Sequence, residues 1–70
     1  MNKELLRYYM ARNGMNADAL SQSIGIDAGT FSRKCNGHSD FTHSEILKIA
    51  KILALTDTEI IDIFFAERVS

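Results

Sequence analysis

The chain of 70 residues has no proline and a single cysteine. Proline removes a backbone donor and breaks helices, so its absence favours uninterrupted helices. One cysteine, Cys35, cannot form an internal disulfide. Residues 1–10 lack the apolar run of a signal peptide, and no stretch is long enough to cross a membrane. These absences predict a cytoplasmic protein that has no contact with a membrane.

A strong charge of one sign is also missing. The formal net charge is −1, whereas many domains that bind DNA are clearly basic. Residues 1–36 hold five basic and three acidic side chains, and residues 37–70 hold three basic and six acidic ones, which gives +2 and −3. Such a dipole can direct the basic half toward nucleic acid. A surface that is charged only for solubility explains the same numbers equally well.

The spacing of the apolar residues predicts an all-α fold of five helices. Seventy residues suffice for one domain with a small core, so we expect residues 1–70 to form a single domain without a separate small-molecule ligand domain. No convincing strand-like alternation is present. The expected helices are a first over residues 3–13, a second over 17–24, a third over 28–36, a fourth after Thr42 and a fifth from Thr56 to about Arg68.

Local signals indicate where these helices begin and end. Residues 42–45 and 56–59 both have the Thr-x-x-Glu spacing of a capping box, in which threonine and glutamate satisfy each other's backbone amides. Asn16 is a good N-cap for the second helix. Gly14 is expected to end the first helix in a left-handed conformation. Four of the five helices therefore have a predicted boundary with a physical cause.

Residues 17–37 combine two short amphipathic helices with a tight turn between them. Leu20 and Ile24 lie four residues apart on the second helix, which gives it one apolar side. Phe31 and Cys35 lie four residues apart on the third helix and do the same there. One side of each helix is therefore expected to face the core.

The turn between these two helices depends on a glycine and an aspartate. Gly25 is expected to adopt a positive φ, which only glycine takes without steric cost. Asp27 stands where the third helix begins, and its carboxylate can accept from the unpaired amides of Gly29 or Thr30. The unit is thus predicted to be two helices joined by a sharp turn.

The outer side of the third helix is made of small residues and one arginine. With Phe31 and Cys35 turned inward, Thr30 is able to face either way, and five residues point outward. We call these five the α3 outer face: Ala28, Gly29, Ser32, Arg33 and Asn36. A helix with such a face is suited to enter the major groove of double-stranded DNA.

These residues resemble the helix-turn-helix of the Cro and lambda-repressor (XRE-type) family, which is common in phage and bacterial regulators. The matching positions are Leu20, Ser21, Ile24, Gly25, Ile26, Phe31 and the closing Asn36-Gly37. The resemblance extends to most of the chain, because the five-helix order can be read before and after the motif. It implies a DNA-binding transcriptional regulator, such as a repressor. Three positions depart from the family. Relatives often clamp the DNA backbone with glutamine where this chain has Ala17, Asp27 is acidic at the DNA-facing start of the third helix, and Lys34 stands where many relatives have an apolar residue.

Chemistry suggests a role for each residue of the α3 outer face. Arg33 is the best candidate for a specific contact, because a guanidinium can bind O6 and N7 of guanine together. Ala28 can touch a thymine methyl group, and Gly29 lets the backbone approach the bases. Ser32 can bond a base or a phosphate. The Asn-Gly closure of the family implies that Asn36 positions a phosphate.

Three further residues complete the predicted DNA site. Thr30 belongs to it if its side chain faces outward. Asn16 and Ala17 begin the second helix, where free amides can meet a phosphate. A role as the N-cap alone explains the presence of Asn16 equally well. The alternative for Arg33 is that it is only a solvated cation on the surface.

The fifth helix is too apolar for a single narrow stripe. Ile60, Ile61, Phe64 and Phe65 span about 140° of its circumference, and Ile63 widens the stripe. We expect the excess to form a two-fold homodimer through Ile60, Ile63 and Phe64, which the family resemblance also implies. The alternative is that Phe64 and Phe65 fill the core, since periodicity cannot distinguish a core face from an interface.

Two other classes of function remain open. Cys35, His38, Asp40 and His43 lie within nine positions and are all residue types that bind zinc, but their spacing matches no common zinc site. We expect no metal, no cofactor and no catalysis, because no nucleophile and base stand together. The second class is a protein-interaction module, resembling an antirepressor, that uses the same scaffold without reading DNA.

Overall fold

A computed structural model describes residues 1–65, which form five α-helices and no strand. The all-α, five-helix prediction is therefore confirmed. None of the helices within this range is long and apolar enough to cross a membrane. The helices are α1 (Lys3–Arg12), α2 (Ala17–Ile24), α3 (Ala28–Cys35), α4 (His43–Leu53) and α5 (Asp57–Phe64).

Every helix begins after a polar side chain that accepts a hydrogen bond from the amide three residues later. This bond satisfies one of the donors that a helix start leaves without an internal partner. Both predicted capping boxes are present, and the returning carboxylates of Glu45 and Glu59 lie 2.9 and 2.8 Å from the threonine amides. The five N-caps are Asn2, Asn16, Asp27, Thr42 and Thr56.

A single core joins all five helices. Helix α2 packs on α3 and α4, while α5 packs on α1 and α4. Three aromatic rings cross this core in T-shaped contacts: Phe31 lies 5.7 Å from Phe41, which lies 5.6 Å from Phe64. Edge-to-face pairs of this kind add stability beyond their buried area. The core consists of Leu6, Met10, Leu20, Ile24, Phe31, Ile49, Leu53, Ile63 and Phe64.

Polar contacts attach α1 to the C-terminal half. The Asn2 amide donates to the Ile63 carbonyl at 2.6 Å, and the Tyr9 hydroxyl donates to Glu59 at 3.1 Å. Burial and the bond to Glu59 raise the pKa of Tyr9. Hydrogen bonds from Thr56 and Tyr9 hold the pKa of Glu59 below its usual value, even though burial opposes them. These bonds hold helix α1 in a defined place against the C-terminal half.

The structure corrects the prediction for α5. Ile63 and Phe64 are 0% and 7% exposed, so they fill the core of a single chain and leave almost no surface for a second copy. Ile60 is half-buried, and the exposed apolar side chains are Ile61 and Phe65, at 57% and 46%. Helix α5 ends at Phe64 with Phe65 as its C-cap, earlier than expected. The predicted extension over residues 66–68 lies outside the described residues.

Candidate nucleic-acid interface

The turn between α2 and α3 has the predicted geometry. Gly25 ends α2 in a left-handed conformation, with φ of +87°, and its amide donates back to the last turn of the helix. The Ile26 amide donates to the Ser21 carbonyl at 3.0 Å. Ser21 is itself buried, and its hydroxyl donates to the Asp18 carbonyl at 3.0 Å. These local bonds fix the direction in which α3 leaves the turn.

One buried aromatic side chain sets the orientation of α3. Phe31 is 3% exposed and lies in the core, whereas Cys35 is half-buried at its edge. All five residues of the α3 outer face are exposed to solvent. Asn16 and Ala17, at the start of α2, are exposed as well, and Thr30 is half-buried. The predicted DNA residues therefore lie on accessible surface, with Thr30 at its margin.

Asp27 acts as the N-cap of α3. Its carboxylate accepts from the Thr30 amide at 2.7 Å, which was one of the two predicted bonds. Hydrogen bonds from the side chain and the backbone of Thr30 lower the pKa of Asp27, and the charge of Arg33 contributes in the same direction. The N-cap hydrogen bond therefore holds the negatively charged carboxylate of Asp27 at the start of α3.

The neighbouring cations Arg33 and Lys34 have different surroundings. Arg33 projects from the α3 outer face, whereas Lys34 binds Glu45 with 2.7 Å between Nζ and Oε1. The Lys34 and Glu45 side chains are only 11% and 14% exposed. Burial raises the pKa of Glu45, but the bonds and charge of Lys34, together with the Thr42 amide, bring it below its usual value. Lys34 is thus a link between α3 and α4.

Helix α1 places two more cations beside α3. Lys3 donates from Nζ to Oδ1 of Asn36 at 2.8 Å, and Arg7 follows one helical turn later. Both line a cleft of about 100 Å³ together with Ala17 and Ser32. Neither cation is among the residues predicted for the DNA site from the sequence. Their i, i+4 spacing puts them on one face of α1, but only the fold shows that this face adjoins α3.

The possible metal ligands of the sequence do not assemble. Within residues 1–65, no group of three or more His, Cys, Asp or Glu side chains could hold a metal ion. His38 and His43 are exposed, and the Cys35 thiol packs against the core. Burial raises the pKa of Cys35, against the opposing charges of Arg7 and Lys3. The surroundings of Cys35 are those of a packing residue.

Comparison with known protein families agrees with the helix-turn-helix geometry of α2 and α3. A family model described as the Cro/C1-type HTH DNA-binding domain matches residues 5–65. The chain belongs to this helix-turn-helix family. The resemblance deduced from the motif is therefore confirmed, and the family identifies the chain as a DNA-binding regulator. No curated protein and no solved structure matches the chain.

Proposed function

We propose that this Cro/C1-type domain is a sequence-specific transcriptional regulator of the phage-repressor kind, which places the α3 outer face in the major groove of DNA. The observation that carries the proposal is the exposure of that entire face above the buried Phe31. A recognition helix must present side chains to base edges while the rest of its surface is anchored in the domain. Helix α3 meets both conditions, because it anchors Phe31 in the core and exposes the α3 outer face.

Arg33 is the central residue of the proposed contact. It is exposed, and no carboxylate within the described residues lies in ion-pair distance of it. Its five donors can therefore turn to O6 and N7 of a guanine. Ala28 and Ser32 supply small contacts beside it, and Asn36 lies at the end of the helix, where the backbone of DNA passes.

Gly29 supports a close approach between α3 and its ligand. A Cβ atom added at Gly29 would meet nothing within 4 Å, so internal contacts do not require glycine there. Glycine inside a helix nevertheless costs about 1 kcal/mol relative to alanine. A base edge or sugar that must approach the backbone gives a reason for the missing side chain.

We further propose that two copies form a symmetric dimer through α5. Ile61 and Phe65 lie four residues apart and are both largely exposed, so they replace Ile63 and Phe64 as the proposed contact residues, with the half-buried Ile60 at the margin. A two-fold axis at this surface would repeat α3 on the second subunit. Dimers of this kind read two half-sites about 34 Å apart on DNA.

Selection of bound sequences from a random duplex pool tests the proposal. We expect enrichment of a symmetric pair of half-sites separated by about 10 base pairs, with an affinity that falls as salt rises. The Arg33→Ala variant should lose preference at one position of each half-site, and Phe65→Asp should lose the symmetry and spacing.

The absence of salt-dependent affinity for any duplex would contradict the proposal. An interaction module on the same scaffold would then explain the exposed Ile61 and Phe65 better. In that case a protein partner should bind the Arg33→Ala variant normally and fail to bind Phe65→Asp. Both substitutions change exposed side chains, so neither is expected to prevent folding.

A further inference from the structure

The chain contains two Asn-Gly pairs, and each of them closes a helix. Asn13-Gly14 follows α1 and Asn36-Gly37 follows α3. In such a pair the glycine backbone nitrogen can attack the asparagine Cγ atom, because glycine has no Cβ atom that hinders the approach. A bond forms between that nitrogen and Cγ, the Cγ–Nδ2 bond breaks, and ammonia leaves with the proton of the glycine amide. Water then opens the cyclic succinimide to aspartate or isoaspartate, so a neutral amide becomes a carboxylate.

The backbone is nearly the same at the two pairs. The φ and ψ angles are −100° and 7° at Asn13, and −88° and 4° at Asn36. Both glycines have positive φ, and the amide of each donates to the carbonyl three residues earlier, at 3.1 and 3.2 Å. The last helical turn must therefore open at either site before the glycine nitrogen can reach Cγ. Helix ends open readily, and because both sites share this requirement, it does not distinguish them.

The Asn13 side chain is held by its nitrogen, which is the leaving group of the reaction. Its Nδ2 atom donates to the Tyr9 carbonyl at 2.8 Å and to the Leu53 carbonyl at 3.3 Å. These bonds keep Cγ away from the glycine and must be broken before ammonia can leave. An aspartate in this place would set a carboxylate against two carbonyl oxygens, which accept hydrogen bonds and donate none. The fold therefore opposes deamidation of Asn13.

The Asn36 side chain is held instead by its oxygen. Its Oδ1 atom accepts from Nζ of Lys3 at 2.8 Å, and no acceptor within residues 1–65 binds its nitrogen. A charged donor on the amide oxygen makes Cγ a better electrophile and stabilises the negative oxygen that forms during the attack. The flexible lysine stem can follow the amide as the turn opens. Arg7 lines the same cleft and adds positive charge. An aspartate product would keep the bond to Lys3 as an ion pair.

We propose that Asn36 is a site of spontaneous deamidation promoted by Lys3, and that the fold protects Asn13 from the same reaction. The product carries a carboxylate on the α3 outer face. Its effect on DNA rests on the proposed function, since a negative charge on this face repels phosphates and should weaken binding as the protein ages. The reaction itself requires no DNA.

Peptide mass mapping during incubation of the full chain at neutral pH measures both sites in one sample. We expect the folded chain to deamidate several-fold faster at Asn36 than at Asn13. In concentrated urea the contacts of both side chains are lost, so the two rates should become comparable. Equal rates in the folded chain, or a faster reaction at Asn13, would overturn the proposal.

Substitution of Lys3 tests the role of its ammonium group. Lys3→Met should lower the Asn36 rate several-fold relative to the Asn13 rate, which corrects within the same molecule for any change in stability. Lys3→Arg keeps a charged donor and should retain the faster reaction at Asn36. Lys48→Met makes the matched change at an exposed position on α4 and should leave both rates unchanged. A ratio of the two rates that Lys3→Met does not alter would overturn the proposal.

Two substitutions of Asn36 separate the reaction from its effect on DNA. Asn36→Asp should bind the selected duplex several-fold more weakly than Asn36→Ala, which removes the amide without adding a charge. The difference should shrink as salt rises. If the unmodified protein binds no duplex, the proposed function fails and the deamidation site stands. If it binds and Asn36→Asp is no weaker than Asn36→Ala, the effect on DNA is overturned and the proposed function stands.

Discussion

Helices α3 and α5 have the same length, eight residues, but opposite surfaces. Helix α3 buries one large side chain, Phe31, and exposes small and polar groups. Helix α5 buries Ile63 and Phe64 and exposes Ile61, and its C-cap Phe65 is exposed as well. A polar exposed face can exchange its water for the edges of base pairs, whereas an apolar one gains most from another apolar surface. The comparison separates the proposed DNA-reading side of this domain from its proposed pairing side.

The largest effect should come from the buried side of α5. Replacement of Ile63 by alanine should lower the free energy of unfolding by about 2–5 kcal/mol, because it leaves a cavity at a fully buried position. Ile61→Ala is the matched control, since the same residue type is 57% exposed two positions earlier. It should change stability by no more than about 0.5 kcal/mol.

Denaturant titration followed by far-ultraviolet circular dichroism measures both values at one protein concentration. Equal losses for the two variants would show that α5 does not have the buried and exposed sides described here. If the free energy of unfolding of Ile61→Ala instead decreased only when the protein was diluted, the substitution would have weakened a dimer.

The second effect concerns the two adjacent cations of α3. Arg33→Ala should reduce affinity for the selected DNA by about 1–3 kcal/mol and relax preference at one position. Lys34→Ala should leave the preferred sequence unchanged and destabilise the fold, because it removes the partner of Glu45. Fluorescence anisotropy on matched and mismatched duplexes distinguishes them. If Lys34→Ala altered the sequence preference and Arg33→Ala did not, the assigned orientation of α3 would be wrong.

Acid should weaken the attachment of α3 to α4. The pKa of Glu45 is lower in the folded chain than its usual value of 4.5, so its contribution to stability is complete above that pH and is lost as the pH falls through the lowered value. Glu45→Gln keeps the capping box but removes the charge. We expect a loss of about 1 kcal/mol at pH 7.

We also expect stability to depend less steeply on pH below about 4.5 in Glu45→Gln than in the unmodified protein. Thermal unfolding between pH 3 and 7 measures the difference. Parallel curves for the two proteins would contradict the described ion pair. Asp27 and Glu59 have lowered pKa values as well, so some dependence should persist in the variant.

The smallest change in stability should come from Asp27→Asn. Asparagine caps a helix about as well as aspartate, so the free energy of unfolding should stay nearly unchanged. Removal of a negative charge at the start of α3 should nevertheless tighten binding to DNA of any sequence, most clearly at low salt. Weaker binding together with intact folding would indicate that the Asp27 carboxylate contacts a base amine directly.

Sequence reasoning succeeded where one residue type allows one conformation. Gly25 marked a left-handed turn, and Asp27 marked a helix start, so α3 and its exposed face could be placed to within a residue. Helix α5 carries apolar residues on several of its sides, so their periodicity could not decide which side packs against α1 and α4. In the structure Ile63 and Phe64 lie in the core, and Ile61 and Phe65 are exposed.

Contacts between distant residues were beyond the reach of local patterns. Lys34 meets Glu45 across eleven positions, and Lys3 meets Asn36 across thirty-three. Nothing in the local spacing favours these pairs over others, because they depend on how whole helices are arranged. The cleft that Lys3 and Arg7 line could be recognised only after α1 was placed against the rest of the domain.

Chemical-shift mapping with the selected duplex tests most directly whether the α3 outer face is the reading surface. The account predicts that the largest backbone amide changes occur at Gly29, Ser32 and Arg33, with further changes near Lys3 and Arg7. Amides on the exposed side of α4 around Lys48 should stay unchanged. Largest changes on α4, with those of α3 unmoved at saturating duplex, would contradict the account.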